Sequence, residues 1–203
     1  MAAIETAFSW SFWPLVVAAG TGPTYCGFAS GQRLPLVFTL VGVGLIVVAG
    51  TAEQIFPRRP DTNALTDRQS INDLAHALIG GQIGERLGAL VFLTLAAGVA
   101  GGMSGLVGHA LWPSGWPLVG QIVLVIVVAD GLDYWKHRFL HTVPALWRIH
   151  ALHHGITQLH VLKSARNHFL DVLSRFPMVY APLVVLGTPA PIIFWYTSFI
   201  SVL

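Results

Sequence analysis

Charged side chains are scarce in this chain. They make up 10% of the 203 residues, whereas hydrophobic residues make up 54%, and the mean hydropathy is +0.67. Soluble domains usually carry about a quarter charged residues. Four stretches contain no Asp, Glu, Lys or Arg, namely residues 6–32, 34–52, 87–129 and 176–203. The composition therefore excludes an ordinary soluble domain and predicts an integral membrane protein.

Cysteine is nearly absent as well. The single Cys26 excludes an internal disulfide and a cysteine-based zinc or iron–sulfur site, so a metal in this protein would be held by nitrogen and oxygen. No Lys or Arg precedes the first apolar stretch, and Glu5 lies just before it. A cleavable signal peptide is therefore not expected, and we predict that the first stretch is a retained helix.

The uncharged stretches are long enough for several membrane spans. A span needs about 20 apolar residues, so the first two stretches predict one helix each and the third predicts two. The third is interrupted by "WPSGWP" at 112–117, where prolines and a glycine stop helices and tryptophans suit a membrane interface. The last stretch holds Pro177, Pro182, Pro189 and Pro191 and favours a broken hairpin dipping into the cytoplasmic leaflet. We expect an all-α, multi-pass protein with about four transmembrane helices, forming one membrane domain over residues 1–203.

Basic residues are unevenly distributed along the chain. Ten of the eleven lie within residues 57–86 and 136–175, only Arg33 lies elsewhere, and none is near Trp112. The positive-inside rule then places both basic segments in the cytoplasm and the 112–117 tip on the other side. The sequence pI near 9.0 requires no nucleic-acid partner, because topology and anionic lipid account for the charge.

Histidines are concentrated in one segment, since five of the nine lie in "HRFLHTVPALWRIHALHH" at 137–154. Residues four apart share one face of a helix, so one helix presents His137 and His141. Thr142 is expected to cap a second helix, with Pro144 in its first turn. That helix presents His150, His153 and His154 on one face, and Gly155 is placed to end it. A later turn brings His168 within reach.

Clustered imidazoles of this kind predict a metal site. Neutral imidazole binds iron, zinc and copper, and five or six histidines indicate either two metals or one metal with a proton-handling group. Asp133, four residues before His137, is our candidate catalytic carboxylate. With Asp130 it is expected either to accept hydrogen bonds from ligand rings or to bind metal. Lone His109 and His160 are expected to be structural, whereas His76 and the nearby Asp73 are candidate supporting residues.

The motifs "DYWKHRFLH" and "WRIHALHH" resemble those of the fatty acid hydroxylase and sterol desaturase superfamily. Upstream "INDLAHALIGG" and downstream "SARNHFLD" are similar to further family segments, so the resemblance runs from about residue 70 to 175. The downstream box has Phe169 and Asp171 where the family usually has Pro and Glu. A third HxxHH box is absent from the sequence, and by resemblance we expect a C-terminally truncated chain.

The resemblance implies oxidation of lipid C–H bonds with O2 at a non-haem di-iron centre, with zinc as a possible substitute. It also implies a cytoplasmic, histidine-rich helical cap. The implied ligands are His137, His141, His150, His153, His154 and His168, supported by Asp73, His76, Asp130, Asn167 and Asp171. The implied partners are a lipid, either a sterol or a fatty acyl chain, and a separate electron donor of the ferredoxin or cytochrome b5 type.

Two rival functions remain open at the level of sequence. One is a catalytically incomplete or non-enzymatic relative that keeps part of a metal site. The other is a membrane zinc hydrolase, although no HExxH arrangement provides it with a general base. Metal content and reductant-dependent O2 consumption distinguish the three functions.

Overall fold

The computed structural model describes residues 14–23, 26, 30, 34–56 and 64–202, and within these ranges the regular structure is entirely helical. The chain falls into two compact units, one formed by residues 1–51 and 190–203 and the other by residues 52–189. The predicted all-α class is confirmed. The assignment of the chain to one membrane domain stays a prediction.

The first unit contains apolar helices. These are α1 (residues 14–23), most of α2 (Leu34–Ile55) and α7 (Ala190–Val202). Hydroxyl groups in these helices donate to carbonyls four residues earlier, from Thr21 to Val17 and from Thr197 to Ile193. This back-bonding satisfies the hydroxyls within their own helix.

The second unit is built on two long helices. The first, α3 (Ser70–Val107), is continuous over 38 residues, includes π-helical turns at His76–Gly81 and Ala89–Leu93, and ends where Gly108 takes φ 84°. The second, α4, runs over Leu118–Thr142. The loop between them contains the predicted tip, where Trp112 Nε1 donates to Gln121 Oε1 at 2.8 Å. The predicted pair of helices with a break at residues 112–117 is confirmed.

The C-terminal stretch is broken as predicted, but the break lies at residues 186–189, farther from the histidines than the predicted shallow dip. Helical segments Phe169–Arg175, Phe176–Tyr180 and Ala181–Val185 form one continuous helix, α6. Pro177 and Pro182 fall in the first turns of the last two segments. The chain turns back only at Gly187, where an added Cβ would lie 2.8 Å from the Ala110 Cβ. The turn therefore lies beside the α3–α4 loop, about 25 Å along the helix from Phe169 at 1.5 Å per residue, and is not a shallow dip near the histidines.

Helix α6 packs against both α3 and α4. Gly84 and Gly88 of α3 allow the close approach, since a Cβ at Gly84 would meet the Phe169 carbonyl and one at Gly88 would meet the Phe176 ring. On the α4 side, Val125 and Ala129 are fully buried, as is Leu183 of α6. This packing fixes the first turn of α6 next to the end of α4.

The outer surfaces of α3 and α4 are apolar. Leu90, Leu106, Val119 and Val127 are 65–89% exposed, and α3 and α4 are the two described helices long and apolar enough, by length and composition, to cross a membrane. The shorter segments Leu40–Ile55 and Ala190–Ile200 are also apolar. These helices agree with a membrane protein, while the number of spans and the side that each loop faces stay predictions.

Candidate metal centre

The first histidine pair lies in the last turns of α4. His137 and His141 are four residues apart, and their Nε2 atoms are 3.0 Å apart. The helix ends at Thr142, whose hydroxyl donates to the Arg138 carbonyl. The predicted capping role of Thr142 is wrong, because extended Val143 occupies the N-cap position of the next helix without a side-chain cap.

The second pair lies on that next helix, α5 (Pro144–His154), which begins at the predicted proline and is followed by Gly155. His150 and His154 are again four apart, with Nε2 atoms 3.1 Å apart. Helices α4 and α5 pack together, and the His137 and His150 ring centroids are 4.8 Å apart. The predicted sequence of helix, break and helix is confirmed.

Both pairs converge on one space. One ring nitrogen from each of His137, His141, His150 and His154 lies within 4.8 Å of the others. Two nitrogens bound to one ion at about 2.1 Å are separated by about 3.0–3.4 Å for bond angles between 90° and tetrahedral. The pair distances fall in this range. The four residues therefore fit a metal ion by donor chemistry and by spacing, while their role as ligands stays a prediction.

Asp171 determines which nitrogen of His150 faces this space. Its Oδ2 lies 2.6 Å from His150 Nδ1, and both residues are buried. An ionised carboxylate only accepts hydrogen bonds, so Nδ1 carries the hydrogen and the lone pair of neutral His150 is on Nε2. A carboxylate that holds the outer nitrogen of a histidine is the usual partner of a metal-binding imidazole.

Neighbouring imidazoles favour the neutral form of His154. Partial removal from water and the adjacent His150, His141 and His153 lower the pKa of His154 below its usual 6.5. Neutral imidazole is the form that binds metal.

Two of the predicted ligands lie outside this group of four. His153 stacks on His150 with ring centroids 5.6 Å apart, and its Nδ1 is buried without a hydrogen-bond partner. His168 occupies the N-cap position of α6, where its Nδ1 accepts from the Leu170 N–H at 3.2 Å. Because Nδ1 of His168 is used in this contact, Nε2 is the nitrogen that remains for a metal. The ligand roles of His153 and His168 stay predictions.

The remaining predicted residues have other partners. Asp133 Oδ1 lies 3.5 Å from Arg175 Nε and 3.9 Å from Lys136 Nζ, so the carboxylate contact to a cluster histidine is made by Asp171 and not by Asp133.

Asp130 is exposed. Asn167 donates to the Ser164 carbonyl. His76 lies one turn before Gly80, whose added Cβ would be 3.9 Å from His76 Nδ1 and 3.7 Å from the Asn167 carbonyl.

Two residues beside the cluster were not predicted from the sequence. Trp147 lies over the cluster, with ring centroids 5.3 Å from His141 and 5.6 Å from His154. Trp147 lies three residues before His150 and seven before His154. This helical spacing puts it on the same face as the two histidines and could have identified it. The other missed residue is Lys136, which contacts Asp171.

A second group of potential ligands, Asp67, Asp73 and His160, already contains a cation. Lys163 Nζ lies 2.6 Å from Asp67 and 2.7 Å from Asp73, and Lys163 and Asp73 are fully buried. Burial by itself would lower the pKa of Lys163, but its hydrogen bonds to the two carboxylates raise it above 10.5. A metal ion would have to displace this ammonium, so we assign the group a structural role. The predicted supporting residue Asp73 thus lies in an ion-pair cluster, and His160 is held by Asp67.

Four imidazoles converge beside the end of a helix of membrane length, an arrangement that agrees with a helical membrane protein that could bind metal through histidine. The fatty acid hydroxylase family profile matches residues 122–203. Over 206 aligned residues the chain is 34% identical to the ornithine lipid hydroxylase OlsE of Rhizobium tropici, an alignment that covers 98% of this chain. The chain spans 61% of the length of that relative. No solved structure matches the chain. The predicted resemblance to the fatty acid hydroxylase superfamily is confirmed by the profile match over residues 122–203 and by the similarity to this relative.

Proposed function

We propose that this protein hydroxylates a membrane lipid with O2 at a non-haem iron site held by the histidine cluster. The observation that carries the proposal is the convergence of His137, His141, His150 and His154 at the end of the apolar helix α4. A metal site in this position is reached by a lipid that remains in its apolar surroundings.

Each part of the site has a proposed task. The four imidazoles hold the metal, with His153 and His168 as further ligands of a second iron, and Asp171 keeps His150 in the tautomer that binds. When bound, iron supplies the activation of O2 needed to oxidise an unactivated C–H bond, which side chains alone do not provide. Trp147 lies beside His141 and His154 and limits the access of water to these two rings.

The substrate class follows from the family and from the relative. Because OlsE is an ornithine lipid hydroxylase, ornithine lipid is the first substrate to test, followed by sterols and fatty acyl lipids. Hydroxylation consumes one O2, two electrons and two protons, inserts one oxygen atom into the C–H bond and forms water. The electrons come from a separate donor of the ferredoxin or cytochrome b5 type.

We further propose that the histidines lie on the cytoplasmic side of a multi-pass protein with about four spans. The basic residues of segment 136–175 support this orientation. A soluble cytoplasmic donor then reaches the metal directly.

The test is the purified chain in lipid nanodiscs with iron, ornithine lipid, O2 and a reduced ferredoxin. We expect lipid that has gained one oxygen atom, and no product without O2 or donor. His150→Ala and His154→Ala should abolish both product and tightly bound iron. His109→Ala is the matched control, because His109 is exposed in the α3–α4 loop and bonds only the neighbouring Ala110 carbonyl.

Two results would contradict the proposal. Full hydroxylation by His150→Ala would show that the cluster does not hold the working metal. Zinc retention together with O2-independent ester cleavage would instead support the hydrolase rival.

A further inference from the structure

A lysine interrupts the buried stripe of α4. The buried positions of this helix are Gln121, Val125, Ala129, Lys136 and Leu140, which are spaced by four or seven residues and so follow one helical face. Lys136 is only 6% exposed. A cation on the packed face of a helix is expensive unless it is paired, so its partners indicate its purpose.

Lys136 is paired with the carboxylate that holds His150. Its Nζ lies 3.4 Å from Asp171 Oδ1, whereas the other oxygen of Asp171 is the one that bonds His150 Nδ1 at 2.6 Å. Asp171 is 4% exposed. Its carboxylate is therefore held on one side by α4 and on the other by α5, while Asp171 itself belongs to α6.

The second carboxylate near Lys136 does not explain the lysine equally well. Asp133 Oδ1 is farther from Nζ, at 3.9 Å, and Arg175 Nε approaches the same oxygen at 3.5 Å. Asp133 is also more accessible, with 29% of its side chain exposed against 5% for Asp171. The ammonium of Lys136 therefore stabilises the buried carboxylate of Asp171 more than that of Asp133.

We propose that Lys136 is a positioning residue for the metal site, acting on His150 through Asp171. A carboxylate held at one oxygen can rotate away from the imidazole, whereas one held at both oxygens keeps Oδ2 directed at Nδ1. The lone pair on Nε2 then points at the shared space of the four histidines. This inference rests on the proposed role of His150 as a ligand, but it does not depend on the lipid substrate or on turnover.

The experiment measures the affinity of the purified chain in detergent for Co2+, by absorption titration with no lipid or electron donor. Lys136→Met should bind Co2+ about tenfold or more weakly, as is usual when the group behind a metal-binding histidine is lost. Lys136→Arg, which restores the charge and the donor, should recover most of the affinity. The control is Arg138→Met, on the same helix but exposed, where Arg138 donates to the Tyr134 hydroxyl.

A double-mutant cycle separates positioning from general stability. If Lys136 acts through Asp171, the variant Lys136→Met/Asp171→Asn should bind Co2+ no more weakly than Asp171→Asn alone, whereas independent effects would add. The comparison of this double variant with Asp171→Asn remains valid if Lys136→Met alone does not fold, because asparagine at position 171 carries no charge that the lysine must balance.

Wild-type Co2+ affinity in Lys136→Met, or additive losses in the cycle, would overturn the inference. If Co2+ binds through His150 as described but no lipid is hydroxylated, the proposed function fails and the positioning role of Lys136 stands.

Discussion

Asp67 accepts hydrogen bonds from Lys163, from the Gln69 N–H and from His160, and these lower the pKa of its carboxyl well below 3.8. A carboxyl whose pKa is lower in the folded state stabilises the fold above its unfolded value and loses that contribution as the pH falls through the folded value. We therefore predict that the wild-type thermal midpoint falls as the pH drops below about 4, and that Asp67→Asn shows a smaller fall. Equal acid sensitivity of both proteins in a detergent unfolding series would contradict this prediction.

His168 combines a structural contact with a predicted ligand role, and one substitution can separate the two. Asn is a good N-cap, so His168→Asn should preserve the start of α6 and the thermal midpoint while removing the imidazole. We expect less iron per chain by elemental analysis. Unchanged iron would limit His168 to capping, and a lowered midpoint would show that Asn does not replace the Nδ1 contact.

The sequence predicted contacts between histidines that share a helix and missed those that depend on packing. His137 with His141, and His150 with His154, follow from the four-residue spacing alone. The bond from His150 to Asp171 joins residues 21 apart and exists only because α6 returns to the end of α4. Asp133 shows the limit of spacing, because it lies one turn from His137 yet pairs with Arg175 and Lys136.

At the scale of elements, the contact between α3 and α6 depends on Gly84. A Cβ there would meet the Phe169 carbonyl and lie 2.9 Å from the Val172 Cβ and 3.2 Å from the Leu173 nitrogen, and backbone atoms cannot rotate away. Gly84→Ala should therefore lower the stability by about 1–3 kcal/mol, the usual cost of overpacking. It should also weaken metal binding, because a displaced α6 carries Asp171 with it.

The matched control is Gly101→Ala in the same helix, where an added Cβ meets nothing within 4 Å. There alanine should be neutral or stabilising, since it favours helix over glycine by about 1 kcal/mol. Thermal unfolding and Co2+ titration of both variants check the prediction, and equal behaviour of the two would refute it.

Helix ends were harder to predict than helices. Pro144 and Gly155 bound α5 as expected, since their effects are local. Thr142 instead bonds back to Arg138, because the hydroxyl of a threonine at the end of a helix has a carbonyl available one turn earlier. Pro177 and Pro182 lie inside α6 and did not break it, because the π-helical turn Phe176–Tyr180 accommodates the irregular hydrogen bonding.

For the whole molecule, the predicted topology places the 112–117 loop and the histidines on opposite sides of the membrane. Helix α4 has 25 residues, about 37 Å at 1.5 Å per residue, which is enough to separate its two ends by a bilayer. In a Cys26→Ser background, Ser114→Cys should resist an impermeant thiol reagent applied from the cytoplasmic side, whereas Thr157→Cys should react. Labelling of Ser114→Cys from that side would refute the orientation.

The lack of charge predicted apolar helices of membrane length, and the described residues contain two of them. The positions of Lys136 and Lys163 did not follow from composition. Both lie in basic segments that the positive-inside rule assigns to a water-facing surface, yet both are buried against aspartates. The distribution of charged residues along the sequence indicates which segments are basic. Only the packed structure shows which of their lysines are buried.

The ammonium of Lys163 between Asp67 and Asp73 also affects how metal analysis of the purified protein is interpreted. In the part of the chain that the structure describes, the acidic group is neutralised internally and the four-histidine group is not. Metal retained after extensive dialysis is therefore expected at the histidine cluster and not at this acidic group. For the same reason Lys163→Met, which exposes two buried carboxylates to each other, is expected to create a spurious cation site and is unsuitable as a neutral control.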